Sequence, residues 1–306
     1  MTWWIRPLVR LLAAVALPLA VPALVTAALW VLPGDPAEII CPPGICTGKE
    51  VLSARWGLDR GPTGFYSTWM AHALQGDFGN SWRVAQGMDV SELVAESLPA
   101  TAQVVGIALI PLVLGMVGAV LGLVPRRADP FWQFIGLMPS VILALAGAAF
   151  IQIQYGALSF DGFPGFLRLL FAALVLGLSD GALADAIVGT RGTFDEEYKQ
   201  RYAQISILRG ESMLGNALPN VLPALIGQLR ARVVHVVSGT VVVEVVLGVP
   251  GLGELLWAGT LLQDFAVVLA AAWAYALLSG ALLLVQALAE IAVAVWVRSA
   301  PAVEVA

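Results

Sequence analysis

Six long apolar runs dominate this sequence and leave few solvents in which it can fold. They lie at about Leu8–Leu32, Ala102–Val124, Phe131–Tyr155, Leu167–Val188, Val221–Val246 and Phe265–Val297. A helix needs about 20 mainly apolar residues to cross a hydrocarbon core of roughly 30 Å. In lipid the backbone must satisfy its own hydrogen bonds, so each run reads as a helix and not as a loop. Composition agrees: 59% of the 306 residues are hydrophobic and 12% are charged, about half the charged share of a soluble domain. The sequence therefore predicts an all-α membrane protein with about six transmembrane helices.

Basic residues set the orientation, because cytoplasmic loops carry the excess of Lys and Arg. With the N-terminus inside, Arg6, Arg10, Arg126, Arg127, the group Arg191, Lys199, Arg201 and Arg209, and finally Arg298 all fall in the cytoplasm. The segment between the first two spans holds Lys49, Arg55, Arg60 and Arg83 among eight acids, so it lies outside without a positive excess. Arg168, at the outer start of the fourth span, is an exception. An even number of crossings returns the C-terminus to the cytoplasm, giving a multi-pass protein of the cell (inner or plasma) membrane, N-in and C-in. Trp3, Trp4, Trp30, Trp132, Trp257 and Trp296 sit near span ends, where amphipathic rings favour the headgroup level. The net charge of −5 argues against nucleic acid as a partner, since such binding rewards basic patches. Two cysteines and two histidines make a metal cluster an unsuitable expectation.

The chain divides into an N-terminal span (1–32), an external segment (33–99), a membrane domain (100–298) containing an internal segment (about 189–220), and a short cytoplasmic tail (299–306). The external segment reads as short helices joined by turns at Gly61-Pro62, Gly76-Asp77 and Gly79-Asn80. Trp56, Phe65, Trp69, Leu74 and Trp82 give it the apolar content of an ordered cap, since a structureless loop of this length is uncommon. The internal segment carries Asp195-Glu196-Glu197-Tyr198-Lys199-Gln200-Arg201-Tyr202, then the Gly210 break, then Pro219 and Pro223. Its polar run predicts a short amphipathic helix at the cytoplasmic surface between spans four and five. Cys41 and Cys46 bracket Pro42-Pro43-Gly44-Ile45 on the outer side; an oxidising compartment favours a disulfide there, with two free thiols as the alternative.

Several blocks, in order, resemble the permease subunits of dipeptide, oligopeptide and nickel ABC importers. After the first span stands Leu32-Pro33-Gly34-Asp35-Pro36-Ala37, which also argues against reading that span as a signal peptide. Gly57-Leu58-Asp59, Gly76-Asp77-Phe78-Gly79-Asn80-Ser81 and Leu98-Pro99-Ala100-Thr101 follow. Leu218-Pro219-Asn220-Val221-Leu222-Pro223 is similar to the end of the family's coupling loop. Val241-Val242-Val243-Glu244, Pro250-Gly251-Leu252-Gly253-Glu254 and Asp264 form the most specific block. The resemblance implies a permease without catalytic residues of its own. Its expected partners are a second homologous permease, two ATPase subunits that bind ATP and Mg, an extracytoplasmic solute-binding protein, and lipid; peptides are the implied solutes.

One departure stands out. The family's coupling loop carries Glu-Ala-Ala, three residues, then Gly, and counting back from Pro219-Asn220 those positions are Gln200, Arg201, Tyr202 and Ser206. Bulky residues replace the alanines that admit an ATPase groove, and serine replaces a glycine that permits a sharp turn. The ATPase-coupling residues are thus expected among Glu197, Tyr198, Gln200, Arg201, Tyr202, Ser206 and Gly210. A degenerate, non-transporting scaffold or regulator is one alternative. An ion-coupled secondary transporter is another, although it favours internal repeats and no clear repeat is visible.

Charges within spans are expensive and usually functional. Asp180 and Asp185 fall in the fourth span; Arg230, Arg232 and His235 fall in the fifth. Counted from the inner ends, Asp180 and Arg230 agree in depth within a turn, at about 1.5 Å per residue. The expectation is an Asp180–Arg230 pair. The alternatives are arginines that snorkel to the cytoplasmic surface, or arginines that meet an anionic solute group. Glu244 and Glu290, near opposite span ends, read as interfacial and solvated, with a gate or packing role open for Glu244. His72 reads as a surface residue of the cap.

Overall fold

The computed structural model describes residues 5–44, 47–155 and 165–299. Thirteen α-helices follow in order: α1 (Ile5–Val31), α2 (Pro36–Ile40), α3 (Lys49–Trp56), α4 (Gly61–Ala73), α5 (Val90–Val120), α6 (Asp129–Gly136), α7 (Ser140–Tyr155), α8 (Gly165–Leu178), α9 (Ala182–Tyr198), α10 (Arg201–Leu208), α11 (Met213–Leu247), α12 (Leu252–Leu262) and α13 (Phe265–Ser299). Short 3-10 turns occupy Leu58–Arg60 and Arg126–Ala128.

The all-helical membrane architecture is present, but the spans differ in kind. Helices α1, α5 and α13 are each long and apolar enough to cross a membrane alone. The third expected span is a pair, α6 and α7, bent by 76°; the fourth is α8 and α9, bent by 40°. Helix α11 is followed by α12 after a 71° bend. The α8–α9 break comes from Asp180 and Gly181, which take φ of 51° and 78° and cannot continue a right-handed helix. Prolines do less than their reputation: α1 runs unbroken past Pro18 and Pro22, and α11 past Pro219 and Pro223.

Two boundaries move. Helix α5 begins at Val90, capped by Asp89, whose side chain accepts from Ser91 N. The external segment therefore ends ten residues before the apolar run suggests. Helix α9 continues to Tyr198, so the internal segment begins near Lys199 and not at Gly189. Arg191, expected in the cytoplasmic loop, is buried inside this helix and pairs with Asp129 and the Val124 carbonyl.

The external cap is ordered. Trp56, Leu58, Phe65, Trp69 and Met70 pack with Leu29 of α1 and Leu269 of α13 into an aromatic-rich core at the outer ends of those helices. His72 faces inward more than a surface residue would, stacking on Trp56 and meeting Asp77 at 2.9 Å. Cys41 is buried and disulfide-bonded; Cys46, its expected partner, lies outside the described residues, as do Trp3 and Trp4. The main core gathers α5, α7, α8, α9 and α11 around Leu112, Leu176, Ile187 and Val236.

Helix α1 lies along α13, and Gly280 lets it approach closely. A Cβ there would stand 2.6 Å from the Ala14 carbonyl oxygen and 3.3 Å from Pro18 Cγ. Gly280→Leu should therefore cost about 1–3 kcal/mol of overpacking, seen as a lower midpoint of thermal unfolding in detergent. An unchanged midpoint would mean that the two helices do not touch there.

Candidate functional site

Two polar assemblies occupy opposite ends of the molecule. On the inner side α10 is held between α9 and α11. Gln200 sits at its N-cap position without a side-chain capping bond, and Arg201 opens the helix. Tyr202 acts as a clamp: its hydroxyl donates to Glu197 at the end of α9 and accepts from Asn220 Nδ2 of α11 at 2.8 Å. Burial, then the Glu197 carboxylate, raise the Tyr202 phenol above its ordinary value, so the donating proton is retained. Tyr198 stacks near Phe194, with ring centroids 5.8 Å apart.

Ser206 is not at a turn. It is buried within α10, and its hydroxyl donates to the Ala203 carbonyl at 2.8 Å. The turn belongs to Gly210, with φ of 70°. Glu211 N donates to Ser206 O and Gly210 N to Ile207 O, the pair of bonds that closes a helix through a left-handed residue. Serine in place of the family's glycine therefore costs no backbone strain. Ile205, Ile207 and Leu208 remain exposed at the tip, Leu208 at 86%.

On the outer side, Glu244 is fully buried near the end of α11, which corrects its reading as a solvated interfacial acid. It accepts from Thr101 Oγ1 of α5 at 2.8 Å and from Gly253 N at 2.7 Å. Thr101 Oγ1 in turn accepts from Leu252 N at 2.8 Å. The N-cap position of α12 is Gly251, which has no side chain to cap with. Glu244 and Thr101 supply those acceptors from two other places, meeting the orphan N–H groups of the first turn. The glycines follow from this geometry. A Cβ on Gly251 would collide with the Glu244 carboxylate, and one on Gly253 would lie 2.5 Å from Val241 Cα. Pro250 stands exposed at the bend.

Asp264 anchors the next turn. Its Oδ2 accepts from Ser81 Oγ at 2.7 Å and from three successive backbone amides, Trp82, Arg83 and Val84, at 3.0–3.2 Å. Its Oδ1 faces Val267 N in the first turn of α13. Arg83 completes the junction by donating to the Leu262 and Ile39 carbonyls. One carboxylate thus ties the loop before α5 to the α12–α13 turn. At the start of the cap, Asp35 caps α2 through Ala37 N, and Pro36 fills the first helical position. Gly34, with φ of 118°, turns the chain after Pro33. Hydrogen bonding from Lys49 holds the Asp35 carboxyl below the usual carboxylate range.

The expected Asp180–Arg230 pair does not form. Asp180 accepts from Ser140 N at 3.2 Å, capping the start of α7, and lies 3.7 Å from His235 Nε2. Asp185 pairs with Arg232 at 3.5 Å. Arg230 lies about 140° round the helix from His235 at 100° per residue, and its Nε is buried without a partner. Depth counting compared levels but not azimuth. Glu290 is paired with Arg10 rather than solvated. Thr101, Ser81 and Asn220 carry roles that no local pattern announces, because each acts on a residue far away in sequence.

Apolar spans, a pinned outer cap and a short helix held out on the inner side define a multi-pass membrane permease subunit. The chain belongs to the family of binding-protein-dependent transport system inner membrane components, whose profile matches residues 112–294. It is 25% identical over 289 residues to a peptide permease protein of Brucella ovis, covering 86% of this chain and 89% of that one. A peptide transport system permease protein of Brucella suis is 27% identical over 283 residues, covering 85% and 88%. The oligopeptide transport system permease protein OppB of Escherichia coli K12 is 25% identical over 251 residues, covering 78% and 80%.

Glu244→Ala should leave the Thr101 hydroxyl and the Gly253 N–H short of a partner at a buried site. Each unmet group costs about 1–3 kcal/mol, so thermal stability should drop clearly. Glu244→Gln keeps an acceptor and should lose less. Equal loss in the two variants would contradict the capping role.

Proposed function

We propose that this chain forms half of the solute pathway of an ATP-driven importer, and that peptides are its solutes. The observation that carries the reading is α10. It is short, clamped by Tyr202 to both neighbouring spans, and ends in exposed Ile205, Ile207 and Leu208. An apolar tip on a rigidly held helix suits the groove of a soluble partner. In this reading the partner is an ATPase subunit, one for each of two homologous permeases. ATP and Mg bind there, and a solute-binding protein delivers from outside. Closure of the ATPase pair moves α10 as a rigid body, and the spans follow between two states. The peptide assignment rests on the names of the relatives.

The bulky residues at the alanine positions fit this scheme through the clamp. Tyr202 faces Glu197 and Asn220, so its ring serves the permease side of the joint. A degenerate subunit would hold α10 without a partner upon it.

Leu208 is exposed, so Leu208→Asp should leave folding and yield intact. In the reconstituted transporter it should cut ATPase co-purification and ATP-dependent peptide uptake by roughly tenfold, equivalent to about 1.4 kcal/mol of docking energy. Tyr202→Phe should retain docking yet lower the uptake obtained per ATP hydrolysed. Uptake unaffected by Leu208→Asp, or uptake that outlasts ATP but not an ion gradient, would contradict the proposal.

A further inference from the structure

A span that meets lipid exposes large apolar side chains, and most of these helices do. Leu12 and Val15 on α1, Leu114 on α5, Phe150 on α7 and Leu288 on α13 are all exposed. Helices α9 and α11 differ. Among the described residues α9 exposes no large apolar side chain, and α11 exposes only Val242. Their open sides instead carry Asp185 and Gly192 on α9, and Ala231 and Ser238 on α11.

The two open sides adjoin. Asp185 meets Arg232 at 3.5 Å, Gln228 Nε2 donates to Thr193 Oγ1 at 2.8 Å, and Asp180 lies 3.7 Å from His235. Arg168 of α8 donates to the Gly248 carbonyl just after α11, which sets a common outer level. Counting inward along either helix at 1.5 Å per residue, Asp180 and His235 lie about 18–20 Å deep and Asp185 and Arg232 about 24–26 Å deep. Both levels fall within a hydrocarbon core of roughly 30 Å.

Exposed charge at such depth is tolerated against water or protein, not against lipid. The exposures rank these groups, with Asp185 the most open and His235 next at 42%. The Asp185 side chain is 63% exposed, whereas Arg232 behind it is 18% exposed. Asp180 is engaged in capping α7, and Arg230 falls on the other side of α11. The face thus presents an open carboxylate with its counter-charge set back.

We propose that the α9–α11 face is the wall of the solute pathway, and that Asp185 receives the ammonium group of a cationic solute moiety, the amino terminus or a basic side chain of a peptide. The assignment rests on the importer reading above and adds the face and the charge preference. Small residues at Gly192, Ala231 and Ser238 leave room for the passing chain. The second permease closes the other side of the lumen.

The test is thiol labelling in the full transporter held in lipid nanodiscs, without nucleotide. Single substitutions Ala231→Cys and Ser238→Cys sample the wall, and Leu12→Cys samples lipid. Reactivity of the unaltered chain is subtracted. The probes are the trimethylammonium-ethyl and the sulfonatoethyl methanethiosulfonates, one cationic and one anionic. Both wall positions should react with both probes, the cation roughly tenfold faster, as a focused negative field requires, while Leu12→Cys stays silent. Asp185→Asn should bring the two rates close together, and Asp185→Glu should restore the preference. No reaction at either wall position would mean a dry subunit interface and would overturn the proposal. Equal rates for the two probes, or a preference untouched by Asp185→Asn, would overturn the role of Asp185. Labelling without nucleotide does not depend on ATPase docking. Failure of the Leu208→Asp uptake test with labelling intact would therefore remove the ATP-driven reading alone.

Discussion

Hydrocarbon offers no hydrogen bonds, and that constraint organises most of what is specific in this protein. Wherever a helix stops or bends near the membrane, its free N–H groups need acceptors that water does not supply. Three carboxylates provide them. Asp180 serves α7, Glu244 serves α12 together with Thr101, and Asp264 serves both α13 and the loop at residues 82–84. Each acid sits at or beside a change of chain direction, so the bends and the acids are parts of one solution. Two further charges in the bundle are paired on the same principle, Arg191 with Asp129 and Arg10 with Glu290.

The membrane class and the approximate spans were legible because length and apolarity are local properties. The breaks were not. The α8–α9 bend has Asp180 at a positive φ, held by contacts with Met138 and Ser140, about forty residues earlier, that no local pattern shows. Helix α1 runs unbroken past Pro18 and Pro22, packed along α13. Glu244 reads as solvated near a span end until Thr101 arrives from α5 to cover it. The break at Gly210 was legible because a glycine marks it, whereas the place of Ser206, buried one turn earlier within α10, was not. The Pro-Gly-Leu-Gly block was recognisable without its reason. The reason is the close approach of the Glu244 carboxylate to a backbone that can carry no Cβ.

Helix α11 links the two assemblies. It meets the Tyr202 clamp through Asn220 near its inner end and holds α12 through Glu244 near its outer end. Its 35 residues span about 52 Å at 1.5 Å per residue, more than the thickness of the hydrocarbon. In the proposed importer a tilt imposed on α10 reaches the outer turn without crossing a flexible joint, passing along the helix that also carries the polar face. The Asp264 junction extends this continuity to the cap, since the loop before α5 and the α12–α13 turn share one carboxylate.

In the proposed importer this subunit works as part of a complete, ATP-driven assembly despite its altered coupling segment. The most direct measurement is gentle purification of the tagged chain from its native membrane, followed by quantitative mass spectrometry of what accompanies it. A second homologous permease and ATPase subunits should come with it in stoichiometric yield. Recovery of the permease pair without any ATPase, repeated across detergents and with nucleotide present, would contradict the ATP-driven reading.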